Sequence, residues 1–250
     1  MLSVKRGCLI LTLLAAAGCR NGDLPPGVFS NPLKSPAAHN EAMCTLRIVT
    51  ISRPQVYLFE RMWKFLDAGA FLGSTPAVMA MNGLKLARVD MRFRRQFDEI
   101  LEQMRKNQDT PEYFRLYEGL EQTFGIGPVF DENTLIVWSN ANSVIGRHFR
   151  KVRYRMKLQV EVLREGLADF RVNWQARTGA GLSKTVSISP AAATVTLETR
   201  QSLVVAPADF SGRGLGRPFL SGIGDADDEI TFLILTPNVI RKKAEPTASR

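Results

Sequence analysis

Cysteine and histidine side chains are the groups in this chain that most readily enter covalent or metal chemistry, and there are three cysteines and two histidines in 250 residues. Cys19 stands out because it directly follows Leu-Leu-Ala-Ala-Ala-Gly at 13–18. A thiolate is a strong nucleophile, so Cys19 is a candidate for covalent modification. His39 and His148 are far apart, and no set of His, Cys, Asp and Glu residues has zinc-like spacing. A GxSxG motif is also absent, and we therefore predict no catalytic residue, no metal site and no cofactor.

The first 18 residues have the layout of a secretory signal peptide. Lys5 and Arg6 precede an apolar run from Cys8 to Ala17, and small residues close the segment. The run is shorter than the roughly 20 residues that a membrane-spanning helix needs. Together with Cys19, the segment resembles the signal of bacterial lipoproteins, in which small residues precede an invariant cysteine. The resemblance implies cleavage between Gly18 and Cys19, diacylglycerol on the Cys19 sulfur and acylation of the new amino terminus.

Two residues beside the cleavage point bear on this resemblance. Ala16 stands where lipoproteins usually have leucine, and an ordinary cleaved signal with a chance cysteine is the alternative interpretation. Arg20 follows the cysteine, whereas an aspartate at that position marks retention in the inner membrane of enterobacteria. The resemblance to that sorting rule favours a lipid-anchored protein of the outer membrane that faces the periplasm.

The charge of the chain is compatible with an anionic partner. The formal net charge is +9, and it falls to +7 when Lys5 and Arg6 leave with the signal. A basic protein binds acidic polymers or anionic lipid, but export makes nucleic acid an unexpected partner. A basic surface without a specific ligand is the alternative. Cys8 leaves with the signal and Cys19 is expected to carry lipid, so Cys44 would have no cysteine with which to form an intrachain disulfide.

Composition divides the remaining chain into four segments. A Pro- and Gly-rich stretch at 19–43 has few large apolar groups and is typical of a flexible tether. Apolar residues at helical and strand spacing predict a small αβ subdomain at 44–110, with helices at 56–66 and 91–106. Almost only strand patterns follow at 111–243, and the polar tail at 244–250 is predicted to be disordered. The predicted fold class is α+β, a small αβ subdomain followed by a mainly antiparallel β-sandwich or barrel-like domain.

The clearest pattern in the chain is a pair of long alternating segments. Apolar residues occupy every second position from Val152 to Val162 and again from Ala168 to Ala176, and a Gly turn joins the two segments. Since side chains alternate faces along a strand, this pattern predicts an antiparallel hairpin with one apolar and one charged face. The charged face carries five basic residues that are candidates for binding an anionic polymer, with a merely solvated face as the alternative. They are Arg153, Arg155, Lys157, Arg171 and Arg177.

Two apolar runs outside the hairpin predict buried strands. Leu135–Trp138 is continuous and is expected to be buried along its whole length. Phe232–Leu235 is a second such run, and Pro237 is expected to end its strand, because proline cannot donate to a ladder. The segment at 124–130 contains Gly125, Gly127 and Pro128, which predict a loop or an edge strand.

The C-terminal region resembles part of another bacterial protein family. Glu229–Arg241 reads as an apolar strand, Thr-Pro, and then Val/Ile and Arg, which is similar to the closing strand of secretins. Gln201–Val205 resembles the secretin strand before the gate region, and Gly214–Phe219 resembles the loop between them. The resemblance covers about 40 residues, and it implies an envelope channel or its accessory.

Three functional hypotheses follow from the sequence. The leading one is a non-catalytic binding or assembly module of the cell envelope, held to the lipid bilayer through acylated Cys19, with an envelope protein or an anionic polymer as partner. The second is a secretin-related subunit or accessory of an export system. The third is an envelope hydrolase, for which His148 is the histidine available. The oligomeric state is not indicated by the sequence.

Overall fold

The computed structural model describes residues 40–73, 76–104, 111–140, 142–208, 214–220 and 229–243. The predicted signal at 1–18, the lipid-bearing Cys19 and the predicted tail at 244–250 lie outside these residues. Residues 19–39 of the predicted tether also lie outside the described residues. From Glu41 onward the chain is already in a strand, which begins inside the segment predicted as tether.

Strands make up most of the described residues. The strands are β1 (Glu41–Ser52), β2 (Leu66–Asp67), β3 (Phe71–Gly73), β4 (Leu84–Val89), β5 (Glu112–Tyr117), β6 (Glu121–Asn140), β7 (Ser143–Arg164), β8 (Leu167–Thr178), β9 (Lys184–Ser187), β10 (Ala193–Glu198), β11 (Leu203–Pro207) and β12 (Glu229–Arg241). The α-helices are α1 (Val56–Trp63), α2 (Pro76–Met81), α3 (Arg94–Met104) and α4 (Arg217–Leu220).

The strands form two six-stranded sheets in which the described pairs are antiparallel. The first sheet has the order β2-β4-β11-β12-β1-β5. The second has the order β3-β10-β8-β7-β6, and β9 also pairs with β8. This arrangement confirms the predicted α+β class with a mainly antiparallel sandwich. Strand β1 lies between β5 and β12, so residues on both sides of the boundary predicted at 110 hydrogen-bond within one sheet.

The first sheet is buried on both faces. Ile230, Phe232 and Ile234 of β12 belong to one apolar cluster with residues of α1 and α3. The alternate residues Leu233 and Leu235 belong to a second cluster, which is shared with the other sheet. The molecule therefore has three layers, with helices on the first sheet and the first sheet on the second. Burial on both faces explains why β11 and β12 read as continuous apolar runs rather than as alternating ones.

The second sheet packs on one face only, and its centre is the predicted hairpin. Strands β7 and β8 pair in the register Tyr154↔Ala176, Met156↔Trp174 and Val160↔Phe170. These inward-facing residues are buried in the cluster between the sheets, and the residues between them are half-buried or exposed. The period-two prediction is confirmed for the whole hairpin.

Strand β12 continues past Pro237, contrary to the sequence prediction. It runs to Arg241 and pairs with β1 along its length. The register shifts where Cys44 pairs with Pro237 and Met43 with Val239, so Asn238 is an extra residue. A bulge is one of the few places in a sheet that accept proline, because the ladder is interrupted there.

The prediction that the whole run Leu135–Trp138 is buried is also wrong. For 124–130 the sequence predicted a loop or an edge strand, and the edge strand is confirmed. Leu135 and Val137 are buried, but Ile136 between them is 49% exposed. Both segments lie in β6, which is the last strand of the second sheet. This sheet packs on one face only, so every second residue of a strand points away from the core, even where the run is continuously apolar.

The Asn82 side chain hydrogen-bonds to the C-terminal part of β6, and we expect its removal to destabilise the protein. Its fully buried side chain donates to the Trp138 carbonyl at 2.8 Å and accepts from the Trp138 N–H at 2.7 Å. It also donates to the Val78 carbonyl at 2.9 Å. We expect Asn82→Ala to lower the free energy of unfolding by about 2 to 4 kcal/mol, because it leaves backbone groups unpaired.

Urea denaturation followed by circular dichroism measures the loss for Asn82→Ala. Asn142→Ala is the control, because Asn142 is exposed beside the same hairpin end. The control is expected to stay within about 0.5 kcal/mol of the parent. A loss for Asn82→Ala as small as that of the control would contradict the bridging role.

Candidate anion-binding surface

The five basic residues singled out by the sequence lie on one face of the second sheet. Their neighbours along the strands, such as Val152 and Val172, are buried between the sheets. Alternation therefore turns the basic side chains to the opposite face, which we call the outer face. It carries Arg153, Arg155 and Lys157 on β7, and Arg171 and Arg177 on β8.

Three of these residues are close neighbours and are called here the arginine triad. Arg153 and Arg177 are directly opposite each other in the register, and Arg155 lies two residues from Arg153 on the same face. Like charges directly opposite each other destabilise an antiparallel pair. Burial lowers the pKa of Arg155, and the positive charges of Arg177 and Arg153 lower it further. The guanidinium nevertheless stays protonated at neutral pH, because arginine titrates far above it.

The triad lacks the partners that usually neutralise arginine. The Nε atoms of Arg153 and Arg155 are buried without a hydrogen-bond partner. Within the part of the chain that the structure describes, none of the three guanidinium groups forms an ion pair with a carboxylate. Buried polar groups normally have a partner. Among the described residues, the triad is therefore a cluster of positive charges without an ion-pair partner, and two of its Nε donors have no acceptor.

Gly125 on β6 allows one triad side chain to lie flat against the sheet. A Cβ atom at this position would be 3.0 Å from Nε of Arg153 and 3.1 Å from its Nη2. The guanidinium of Arg153 thus rests on the glycine backbone. In the sequence, Gly125 together with Gly127 and Pro128 predicts only a loop or an edge. A glycine inside a strand pattern also marks a place where another group approaches closely, and that signal would have suggested the contact with Arg153.

The other two basic residues stand apart from the triad. Lys157 Nζ forms an ion pair of 2.7 Å with Glu121 Oε1, and Gln159 Nε2 donates to the same oxygen at 2.9 Å. The charge of Lys157 is therefore compensated. Arg171 is exposed and lies six residues from Arg177 along β8, roughly 20 Å away. The structure groups three of the five predicted residues and leaves two outside.

A second basic region lies at the ends of β7 and β9. An open groove of about 490 Å³ is lined by Arg147, His148, Arg150 and Lys184, among others. His148 Nδ1 is 3.0 Å from the Thr134 hydroxyl, and Arg150 Nε is 3.9 Å from Glu132 Oε1. These basic side chains are all exposed. The groove is a second concentration of basic side chains, but none of its lining atoms is a buried donor without a partner.

Cys44 is the cysteine that falls within the described residues, and it is inert. It is 1% exposed in β1, and its thiol lies 3.7 Å from the carbonyl of Ala42. Burial raises the pKa of the thiol, because the thiolate would lose its hydration. The neutral thiol is a poor nucleophile and a poor metal ligand.

The described residues contain neither a metal-binding cluster nor a membrane-spanning helix. No group of three or more His, Cys, Asp and Glu side chains there is placed to hold a metal ion. None of the helices in the described ranges combines the length and apolar character of a membrane span. Comparisons with protein-family models, with curated proteins and with solved structures give no significant match.

The electrostatic strain within the triad leads to a stability prediction. We expect Arg177→Gln to raise the free energy of unfolding by about 0.2 to 1 kcal/mol at low salt, because it removes the charge opposite Arg153. The gain should vanish at about 1 M salt, where screening acts within about 3 Å. Urea denaturation at both salt concentrations measures it.

Arg171→Gln is the matched control, since it removes the same charge from the same strand and face. It should change the free energy of unfolding by less than about 0.5 kcal/mol at either salt concentration. Destabilisation by Arg177→Gln would show that Arg177 has a stabilising partner and that the triad is not strained.

Proposed function

We propose that this protein is a lipid-anchored, non-catalytic binding module of the bacterial cell envelope, and that it binds an anionic envelope polymer through the outer face of the second sheet. The observation that carries the proposal is the arginine triad, three adjacent guanidinium groups without a carboxylate partner among the described residues. The resemblance of the first 19 residues to a lipoprotein signal supports the envelope location.

The layering of the fold supports the choice of surface. Both faces of the first sheet are buried, one by helices and one by the second sheet. The outer face of the second sheet keeps half-buried or exposed polar side chains along two long strands. A polymer with repeated negative charges can meet several guanidinium groups of such a flat face at once, and each charged hydrogen bond is stronger than a neutral one.

The energetic cost of the triad also supports a ligand-binding role. Three like charges held together destabilise the folded state unless an anion compensates them. An anionic ligand would supply the missing charge and would accept hydrogen bonds from the guanidinium groups of these half-buried residues. Binding should weaken as salt is raised, because the charges lie at the surface and are screened.

The test is binding of the full-length, detergent-extracted protein to an immobilised polymer of galacturonic acid and to polyphosphate. A variant that combines Arg153→Gln, Arg155→Gln and Arg177→Gln is expected to lose affinity for at least one polymer by more than about tenfold, since a hydrogen bond to a charged group contributes about 1.5 to 3 kcal/mol.

The control variant removes three positive charges elsewhere, with Arg61→Gln, Lys64→Gln and Lys243→Gln. All three residues are exposed and lie off the second sheet. The control should keep most of the affinity. Equal losses in both variants would mean that net charge alone attracts the polymer, and the outer face would then have no special role.

A further inference from the structure

We infer that the arginine triad is a discrete site for a single phosphate dianion, either a phosphomonoester on an envelope molecule or free inorganic phosphate. This inference deepens the proposed function and rests on it, because it names the chemical group that the outer face takes. It concerns Arg153, Arg155 and Arg177, with Gly125 as the residue that positions Arg153.

The register places the backbones of the three arginines close together on the outer face. Directly opposite residues such as Arg153 and Arg177 have Cα atoms about 4.5 to 5.5 Å apart. Arg155 follows Arg153 on the same face, roughly 7 Å along the strand. Arginine side chains are longer than these separations, so all three can reach one tetrahedral anion above the sheet.

The number of charges favours phosphate over carboxylate. A carboxylate has one negative charge and two oxygens, which one arginine fork can satisfy. A phosphomonoester has a charge of about −1.5 to −2 at neutral pH and three strong acceptor oxygens. The three guanidinium groups match the three acceptor oxygens of the second ligand, and its larger charge offsets more of their repulsion than a carboxylate would. Burial is the main cause of the lowered pKa of Arg155, and repulsion from Arg177 and Arg153 adds to it; such an anion would relieve the repulsion.

Two features show that the site is held in place rather than being a loose set of surface arginines. The Nε donors of Arg153 and Arg155 are buried and unpaired, which is unusual for groups that could turn toward water. The guanidinium of Arg153 lies against the backbone at Gly125, where a Cβ atom would be within 3.0 to 3.2 Å of it. Gly125 therefore positions Arg153 without contributing charge.

The experiment is calorimetric titration of the full-length, detergent-extracted protein with glycerol phosphate, inorganic phosphate, sulfate and acetate. We expect a phosphate probe to bind at least tenfold more tightly than acetate. Phosphate affinity should fall when the pH drops from about 7 to about 5, because phosphate loses its second charge near pH 6. Sulfate affinity should not change over that range, since neither sulfate nor arginine titrates there.

The geometry of the triad is tested with two variants that do not change the net charge. Gly125→Ala is expected to weaken phosphate binding severalfold by displacing the guanidinium of Arg153. A combination of Arg153→Lys, Arg155→Lys and Arg177→Lys should weaken it by at least tenfold, because lysine lacks the planar fork. Circular dichroism checks that each variant is folded, and if either fails to fold, the other decides the result.

The outcomes separate this inference from the proposed function. Binding of glycerol phosphate supports a phosphomonoester, and binding of inorganic phosphate alone supports the free ion. If the triad variant loses polymer binding but no phosphate probe binds, or if acetate binds equally well, the phosphate site is overturned and the proposed function stands. If neither polymers nor phosphate probes bind, both are overturned.

Discussion

Replacing Trp174 with alanine is expected to lower the free energy of unfolding by about 3 to 5 kcal/mol. Trp174 is 1% exposed and lies on the inner face of β8, opposite Met156 in the register. Its ring meets the ring of Phe219 in an edge-to-face contact, with centroids 6.0 Å apart. Alanine would leave a cavity at the contact of the second sheet with α4, and packed interiors relax only partly around such cavities.

Trp174→Phe separates packing from polarity at the same position. The indole Nε1 of Trp174 is buried without a hydrogen-bond partner, so phenylalanine removes an unsatisfied donor while it keeps an aromatic ring. We expect a loss of about 1 to 2 kcal/mol, clearly smaller than that for alanine, because the phenyl ring leaves a smaller cavity. Urea denaturation followed by far-ultraviolet circular dichroism compares the variants.

Two outcomes of the comparison between Trp174→Phe and Trp174→Ala would contradict the packing argument. Equal losses for Trp174→Phe and Trp174→Ala would show that the indole N–H forms an important hydrogen bond, and that the ring packing contributes little. A loss near zero for both would mean that the contact of the second sheet with α4 does not contribute to stability.

Replacing Cys19 with alanine is expected to abolish incorporation of labelled fatty acid and to move the protein out of the membrane fraction. The sulfur of Cys19 is the acceptor implied by the resemblance to lipoprotein signals, and no other atom can replace it in a thioether. Several acyl chains make a stable anchor, whereas one chain binds only reversibly. Metabolic labelling and fractionation by centrifugation measure the two effects.

Cys44→Ala is the matched control for the anchor. The thiol of Cys44 is buried in β1 and neutral, so it is not available for acylation. The control should keep the label and the membrane association of the parent. If Cys19→Ala stays in the membrane fraction, or if the parent takes up no label, the ordinary cleaved signal becomes the better interpretation and the envelope anchor is lost from the proposal.

The anchor and the surface make independent contributions to the proposed function. The triad variants test the outer face in detergent, where the anchor has no effect on affinity. Cys19→Ala tests location and should leave phosphate affinity unchanged, since the triad residues belong to β7 and β8. A change in phosphate affinity on loss of the lipid would show that the bilayer itself contributes to the site.

The sequence by itself determined the local geometry of the second sheet. Alternation from Val152 to Ala176 follows from the two-residue repeat of a strand, which depends only on neighbouring residues. The same alternation placed Arg153, Arg155, Lys157, Arg171 and Arg177 on one face before any partner was known. The turn between β7 and β8 needs no long-range information either, because Gly166, with φ of +76°, closes it between strands that are adjacent in the chain.

Only the tertiary structure decided which strands are neighbours. Strand β1 pairs with β12, from the other end of the described chain, and no local pattern specifies a partner so distant. The same pairing creates the bulge that carries β12 past Pro237. A sequence boundary at 110 could not anticipate this sheet, because strand partners depend on how distant apolar faces pack together.

The composition of the site was likewise decided by pairing between strands. β6 lies beside β7, which brings Glu121 to Lys157 and compensates that charge. The same pairing brings Gly125 under Arg153, and the β7–β8 register sets Arg177 opposite Arg153. A list of basic residues on one face follows from spacing alone. Which of them remain uncompensated depends on cross-strand neighbours, and these exist only once the sheet has formed.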